Sequence, residues 1–535
     1  MTLKVRLASI TSNAGDNIEF SSTGVTCLVG GNNAGKSRTL SDISGLVETP
    51  DAATIVVKDL QLDKPEQVSL EEANGFLEET GVQQPKYGVE HTQYSPLGGQ
   101  GQPMRPESFA HEMVHGGSAL GATKGFFFQH WQAGQLSHNA ATSLGHVPGS
   151  ASPSSPLHRL FLDGELEEAL SKISYEAFEH HLTVDRANMD VRLRVGTVTG
   201  VDIPPLNRPT LEYANAVAAL PSVMNQGDGV KSFLGIVMTV LAGRSQILLI
   251  DEPEAYLHPG QARALGRWLS LHAAERDLQI VVATHSREFI LGLVSGEPSH
   301  VRMVRIVREG GMNRFHVLPP EDISAAWEDP VLRYSNVLQG LFHRRVVVCE
   351  SDADCRFYGA VLDELAIETN RRSQADDILL VPSGGKDRMA ALAKSMLKLG
   401  VETHAFGDFD ILNKKDRVRA LVEATGGVWT HEMNVDYVTF ARPVQSGGRW
   451  DELKRLGVEA VPPGAPYSAC VRLLNALDES NIHIVPLGEM EAFDRSLVVH
   501  GSAWVSAALE SNLHKTSQPA KDVVEKILTP TNRAD

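Results

Sequence analysis

The sequence is short of several things. It has four cysteines, Cys27, Cys349, Cys355 and Cys470, none of them in a C-x-x-C pair, so a paired-cysteine redox or metal motif is excluded. Cys27 and Cys349 sit inside apolar strand-like runs, where a small buried thiol is the simplest reading. No apolar run reaches the roughly 20 residues that span a bilayer. The opening MTLKVRLASI also lacks the long apolar core of a signal peptide. The expectation is a protein of the reducing cytoplasm with no membrane partner. Basic residues are outnumbered, 49 Lys and Arg against 66 Asp and Glu, for a net charge of -17. That excludes a chain coated in basic surface but not a local basic patch on nucleic-acid phosphates. Sustained heptads are missing as well, which excludes a long coiled-coil arm.

What is present suits a globular protein of several domains. A chain of 535 residues is too long for one ordinary core, and its 42% hydrophobic and 21% charged residues are ordinary for folded proteins. The stretch Gly30-Gly31-Asn32-Asn33-Ala34-Gly35-Lys36-Ser37 is a complete phosphate-binding loop, and it follows an apolar run, Val25 to Val29, that reads as a strand. Its glycines let successive backbone N–H groups approach phosphate oxygens, and the next helix turns its positive end to the same anion. Lys36 is expected on the β- and γ-phosphates and the Ser37 hydroxyl on Mg²⁺. Residues 62–157 are rich in Gly, Pro, Gln, His and Ser and read as an irregular insertion with short helices. A glutamine that senses Mg²⁺ belongs somewhere in Phe128-Gln129-His130-Trp131-Gln132.

Farther on, Gln246 to Ile250 is a buried strand ending in Asp251-Glu252-Pro253-Glu254, the place where a Walker B motif sets Asp251 toward Mg²⁺ and Glu252 toward the attacking water. A glycine turn, Gly227-Asp228-Gly229, opens a long apolar helix before it. A further buried strand, Ile280 to Ala283, runs into Thr284-His285-Ser286. One decoy lies nearby: His111-Glu112-Met113-Val114-His115 matches the zinc-protease pattern. Gly116 and Gly117 end any helix there, no third ligand is visible, and the match reads as coincidence.

After Pro319-Pro320-Glu321-Asp322 the pattern restarts. Arg345 to Cys349, Ile378 to Pro382, Glu402 to Phe406 and Ile482 to Pro486 read as strands. Three of the four end near carboxylates, at Glu350, at Asp408 and Asp410, and at Glu489 and Glu491. The fourth ends in Gly384-Gly385-Lys386. Parallel α/β sheets collect ligands at strand carboxyl ends, and divalent cations need converging carboxylate oxygens.

The first set of motifs resembles the ABC-type ATPase head found in SMC, RecF and OLD (overcoming lysogenization defect) proteins. The resemblance implies an α/β head over 1–325 that uses ATP and Mg²⁺, with His285 as the switch histidine at the γ-phosphate. It also implies heads that dimerise with ATP held between one phosphate loop and the partner's turn at Gly227 and Gly229. That turn often carries Ser-x-Gly in such heads, and Gly-Asp-Gly here leaves only backbone N–H groups for the contact. The second set, Glu350 with Asp354, Gly384-Gly385-Lys386 and Asp408-x-Asp410, resembles a Toprim domain over 345–495, reached through a helical linker at 326–344 and followed by a helical tail at 496–535.

Together the two look like an OLD-family nuclease, similar in plan to the A subunit of the Gabija antiphage system. The resemblance implies Mg²⁺ or Mn²⁺ on Glu350, Asp408 and Asp410, with Asp354, Glu489 and Glu491 completing a second site. Lys386 is the implied basic catalytic group, ahead of Lys515 and Lys521. It further implies phosphodiester hydrolysis on DNA, gated by the nucleotide state of a homodimer or higher even oligomer. A partner defence subunit and a role in antiphage defence are part of the same implication. Two other expectations stand beside it: a ribonuclease acting on tRNA or other RNA, and a regulatory ATPase whose Toprim domain recruits an effector. The intact Glu350, Asp408 and Asp410 count against the last.

Overall fold

The run before the phosphate loop carries no charge, and in the computed structural model it is the fully buried strand β3 (Gly24–Val29). The structure describes residues 3–84, 92–98, 101–145, 153–205, 208, 210–318, 321 and 336–528. Contacts divide the chain into two compact units, Met1–Glu328 and Asp329–Asp535.

In the first unit β3 lies within a six-stranded sheet that also contains β7 (Phe128–Gln132), β11 (Ile247–Asp251), β12 (Gln279–Ala283), β13 (Val301–Glu309) and β14 (Met312–Leu318), in the order β14-β13-β3-β12-β11-β7. All neighbours are parallel except the β13–β14 hairpin. Parallel strands covered on both faces need near-continuous apolar runs, and the Ile-Leu-Leu-Ile of β11 and the Ile-Val-Val-Ala of β12 supply them. Two three-stranded antiparallel sheets also belong to this unit. The first pairs β1 (Arg6–Ser12) with β2 (Asn17–Glu19) and β4 (Val57–Asp63); the second places β10 (Asp190–Val195) between β8 (Leu144–Gly145) and β9 (Leu182–Asp185).

The stretch expected to be irregular, 62–157, is in large part ordered core. A helix, Leu70–Thr80, starts from a capping box in which Ser69 and Glu72 satisfy each other's backbone N–H. A second helix covers Pro106–His115. Their apolar faces meet in an aromatic cluster, with Phe76 stacked on Phe127 at 4.8 Å and Phe109 edge-on to Phe126 at 5.5 Å. Most unexpectedly, Phe128–Gln132 is an edge strand of the central sheet, pairing in parallel with the Walker B strand. Only its first two residues are buried, so its sequence needs little apolar character and does not read as core. Residues 85–91, 99–100 and 146–152 lie outside the described residues.

In the second unit β15 (Arg345–Cys349), β16 (Ile378–Pro382), β17 (Glu402–Gly407) and β18 (Ile482–Ile484) form a parallel sheet in the order β16-β15-β17-β18. The helix Asp352–Glu368 packs against the last helix, Gln518–Leu528, around a core that includes Phe357, Tyr358, Trp504 and Val524. Of the stretch expected to link the units, 326–335 lies outside the described residues, and Asn336–Phe342 is a short 3-10 helix.

Candidate functional sites

The phosphate loop turns sharply because three of its residues take positive φ: Gly30 at 150°, Asn33 at 62° and Gly35 at 103°. Asn32 and Asn33 are exposed at its tip, while Ala34 is buried beneath it. Gly35 then caps the helix Lys36–Glu48. Lys36 Nζ donates to Gly30 O at 2.9 Å and Gly31 O at 3.0 Å, and its half-buried position lowers its pKa. At the end of β11, Asp251 Oδ1 accepts from Ser37 Oγ at 3.0 Å, so the two residues assigned to Mg²⁺ are in contact. Burial raises the Asp251 pKa, against the Ser37 hydrogen bond that lowers it.

Around them, His285 Nδ1 lies 3.2 Å from Glu252 Oε1 and 3.8 Å from Glu254 Oε1. Glu252 itself takes a left-handed φ of 52°, an uncommon conformation for a glutamate. Its N–H donates to Ala283 O at 2.8 Å across the strand ends. Strand register places Gln132 directly beside Asp251. Gln129 is buried, bonded to Leu97 O and the Trp131 indole. Gly227 precedes the helix Asp228–Ala242 as its N-cap. A Cβ on Gly229 would come within 2.5 Å of Tyr256 O, so that glycine is required by contact within the chain itself.

In the second unit Glu350, Asp408 and Asp410 bring carboxylate oxygens within 4.8 Å of one another. At an effective dielectric of about 20, unit charges that close repel by about 3.5 kcal/mol or more per pair. The repulsion shows in the proton affinities. Asp408 is held well above the ordinary carboxylate range, first by burial and then by Asp354, Glu350 and Asp410. Glu350 is raised by burial and by Asp410, against the lowering effect of Lys386. Lys386 Nζ donates to Asp410 Oδ1 and stands 3.7 Å from Glu350 Oε2, a buried oxygen with no hydrogen-bond partner. Three converging carboxylates, one with an orphaned oxygen, fit a divalent cation.

Asp354, Glu489 and Glu491, expected at a second cation, and Lys515 and Lys521 lie outside that group of three. Asp354 Oδ2 closes a capping box on the Ser351 N–H and hydroxyl. Glu489 Oε2 pairs with Lys454 Nζ at 3.4 Å, and Glu491 Oε1 accepts from Gly501 N at 2.9 Å. Lys515 and Lys521 pair with Glu364 and Glu368, on the helix Asp352–Glu368. Sequence reasoning missed Lys454. Burial opposes its charge, yet Glu489, Asp410 and Asp408 more than offset that and raise its pKa. No motif announces it. Only a close backbone approach brings it near: a Cβ on Gly488 would fall 2.3 Å from Lys454 O.

Comparison with known proteins bears on the first unit. The family model described as "AAA domain, putative AbiEii toxin, Type IV TA system" matches residues 169–291, which hold Asp251, Glu252 and His285. With the phosphate loop and the Ser37–Asp251 contact, that match points to a P-loop ATPase. The first unit has the motifs and the parallel α/β sheet of a P-loop ATPase. The chain is also 31% identical over 87 residues to Uncharacterized protein MJECL11 of Methanocaldococcus jannaschii, covering 16% of this chain and 76% of that protein. It belongs to one family with that protein, whose name assigns no activity.

Two solved structures are similar at lower levels. The SMC head domain from Thermotoga maritima is 15% identical with a TM-score of 0.28, covering 60% of this chain and 99% of that one. The cbiO1 protein from Clostridium perfringens, part of an ABC transporter complex, is 12% identical with a TM-score of 0.26, covering 61% of this chain and 92% of that one. Likenesses this weak carry no weight beside the motifs.

Within the ATPase unit, Glu254 is the second residue that sequence reasoning left without a role. It is 7% exposed, and its Oε1 accepts from Thr284 Oγ1 at 2.6 Å and His285 N at 3.2 Å, which ties the histidine strand to the Walker B loop. The second glutamate of Asp-Glu-Pro-Glu was its only signal. The His111 and His115 rings lie 4.5 Å apart, tilted, on one face of their helix, while Glu112 Oε1 accepts from Ala122 N. Among the described residues no third metal ligand joins them, and no helix is long and apolar enough to cross a membrane.

Proposed function

We propose that the second unit is a Toprim-type, divalent-metal-dependent nuclease whose cutting is gated by nucleotide binding at the ATPase unit. The observation that carries this reading is the convergence of Glu350, Asp408 and Asp410 at the carboxyl ends of neighbouring parallel strands. Mg²⁺ or Mn²⁺ would be held by these three. Such a cation supplies Lewis-acid polarisation of a phosphoryl oxygen and an activated water. The chain's own residues do the rest. Lys386 places positive charge beside the cluster, where it offsets carboxylate repulsion and can meet a phosphodiester oxygen. Lys454 adds a second positive charge near Asp410 and Asp408. In the ATPase unit, Lys36 and the loop N–H groups take the β- and γ-phosphates, Asp251 and Ser37 hold the nucleotide's cation, Glu252 orients water and His285 faces the γ-phosphate.

Heads of this kind are proposed to pair as a homodimer or higher even oligomer around ATP. DNA is the proposed polymer and antiphage defence the proposed role, both through the resemblance to OLD nucleases, which also leaves room for a partner defence subunit. The test is cleavage of supercoiled plasmid, linear duplex and total tRNA with Mg²⁺ or Mn²⁺, with and without ATP, beside Glu350→Ala and Lys36→Ala. Metal-dependent DNA cutting that disappears in Glu350→Ala and shifts with ATP or Lys36→Ala supports the reading. Cutting confined to RNA replaces the substrate. ATP hydrolysis with no cleavage of any polymer rejects the nuclease.

A further inference from the structure

The β13–β14 hairpin carries none of the nucleotide motifs, yet it lies against the phosphate loop at both ends. A Cβ on Gly30 would stand 2.4 Å from Ile306 O on β13. A Cβ on Gly35 would stand 2.9 Å from Asn313 Nδ2 on β14 and 3.1 Å from Val56 Cγ2. These two glycines therefore answer to the hairpin as well as to their own positive φ.

Asn313 is 3% exposed, and its side chain is used on both sides. Nδ2 donates to Ala34 O at 2.7 Å, and Oδ1 accepts from Asn13 Nδ2 at 3.1 Å. Asn13 returns the contact, its Oδ1 accepting from Asn313 N at 2.6 Å, while its Nδ2 also reaches Ile55 O at 2.9 Å. The reciprocal pair leaves the Asn313 amide one way to face, nitrogen toward the loop. In a trans peptide the C=O and the following N–H point in opposite directions. Fixing Ala34 O toward Asn313 therefore aims the Gly35 N–H the other way, out of the hairpin's side of the loop.

We infer that Asn313, held by Asn13, is a positioning residue for the nucleotide: it sets the Ala34–Gly35 peptide so that the Gly35 N–H faces a phosphate oxygen. The loop is shaped by a donor from β14 as well as by its own glycines. A residue acting this way sets affinity for ATP and leaves the chemistry of the bound complex to Glu252 and His285.

The experiment measures ATP affinity with a fluorescent ATP analogue and Mg²⁺, and the kcat and KM of hydrolysis, on the full chain. The variants are Asn313→Asp, Asn313→Ala and Asn13→Ala. Aspartate keeps the size and the bond from Asn13 but sets an oxygen against Ala34 O. It is expected to raise Kd and KM at least tenfold with kcat within twofold of the parent. Alanine at 313 is expected to raise them threefold to tenfold, and alanine at 13 about twofold to threefold. The Asn13→Ala/Asn313→Ala double variant should match Asn313→Ala alone, because both act through one contact. A Kd for Asn313→Asp within twofold of the parent overturns the inference, as does a fall in kcat with KM unchanged. If Asn313→Asp does not fold, Asn13→Ala decides: a folded chain by circular dichroism with unaltered ATP affinity rejects it.

Discussion

The two strand-end sites hold a lysine in opposite ways. Lys36 donates to the neutral carbonyls of Gly30 and Gly31, whereas Lys386 donates to the Asp410 carboxylate beside Glu350. Both sites sit where a parallel sheet gathers ligands, so the sheet does not decide their sign. The turn after the strand does. After β3 the chain enters positive φ at Gly30, Asn33 and Gly35, the geometry that gathers N–H groups for an anion. After β17 the Asp408-Phe409-Asp410 turn is pinned by Phe409 N donating to Gly488 O at 2.7 Å, and it offers carboxylates to a cation. One architecture thus presents backbone N–H groups at one strand end and converging carboxylates at another.

The contrast would break most visibly at the carboxylates. Glu350→Gln or Asp408→Asn should lower Mn²⁺ affinity of the second unit at least a hundredfold by calorimetry and leave ATP affinity unchanged. Equal Mn²⁺ binding in both variants and the parent would reject a cation site there.

Acid should strike the second unit through its histidines. His404 Nδ1 lies 2.9 Å from His483 Nε2, and His483 Nδ1 lies 2.8 Å from Asp478 Oδ1, a buried relay between β17 and β18 that also touches Glu402. Burial lowers the His404 pKa from 6.5 to about 4, with His483 and Arg345 adding to it against Glu402. A depressed folded-state pKa gives stability that is complete above about 6.5 and lost as pH falls toward 4. The loss is roughly 3 kcal/mol for this one group. Urea midpoints between pH 7 and pH 4 should fall for the parent and fall less for His404→Gln. Parallel slopes would show that the proton goes elsewhere.

Lys36→Ala tests the anion side. It should weaken ATP binding about thirtyfold, roughly 2 kcal/mol, with Mn²⁺ binding at the carboxylates intact. Loss of both would mean the two sites are not separable.

Much of this was legible because the chemistry is local. The phosphate loop, the Walker B end and the strand-end acids each lie within a few residues of the element that positions them. Asp354 has two uses: its Oδ2 closes the Ser351 capping box, and its charge is the first to act on Asp408 after burial. Phe128–Gln132 was hidden by its edge position, which relaxes the demand for apolar residues. Lys454, Asn313 and Asn13 were invisible for another reason: each meets its partners from a distant part of the chain, through contacts that no spacing encodes.

The smallest expected effect sharpens the contrast inside the ATPase unit. Glu254 is a buried carboxylate in an anion site, and it should be out of place there. Its pKa is indeed raised by burial, but the Thr284 hydroxyl and the His285 N–H lower it in part. Hydrogen-bond donors help hold this carboxylate in the site. Thr284→Val preserves the volume and removes the stronger donor, at 2.6 Å, along with the acceptor for Ser286 N. The loss should be about 1–2 kcal/mol in the urea midpoint, with ATP affinity within twofold because neither group touches the phosphate loop in any hydrogen bond described. A variant as stable as the parent would mean that Glu254 is carried by His285 and its neighbours alone. The two sites would then differ less in how they hold a buried carboxylate than Thr284 suggests.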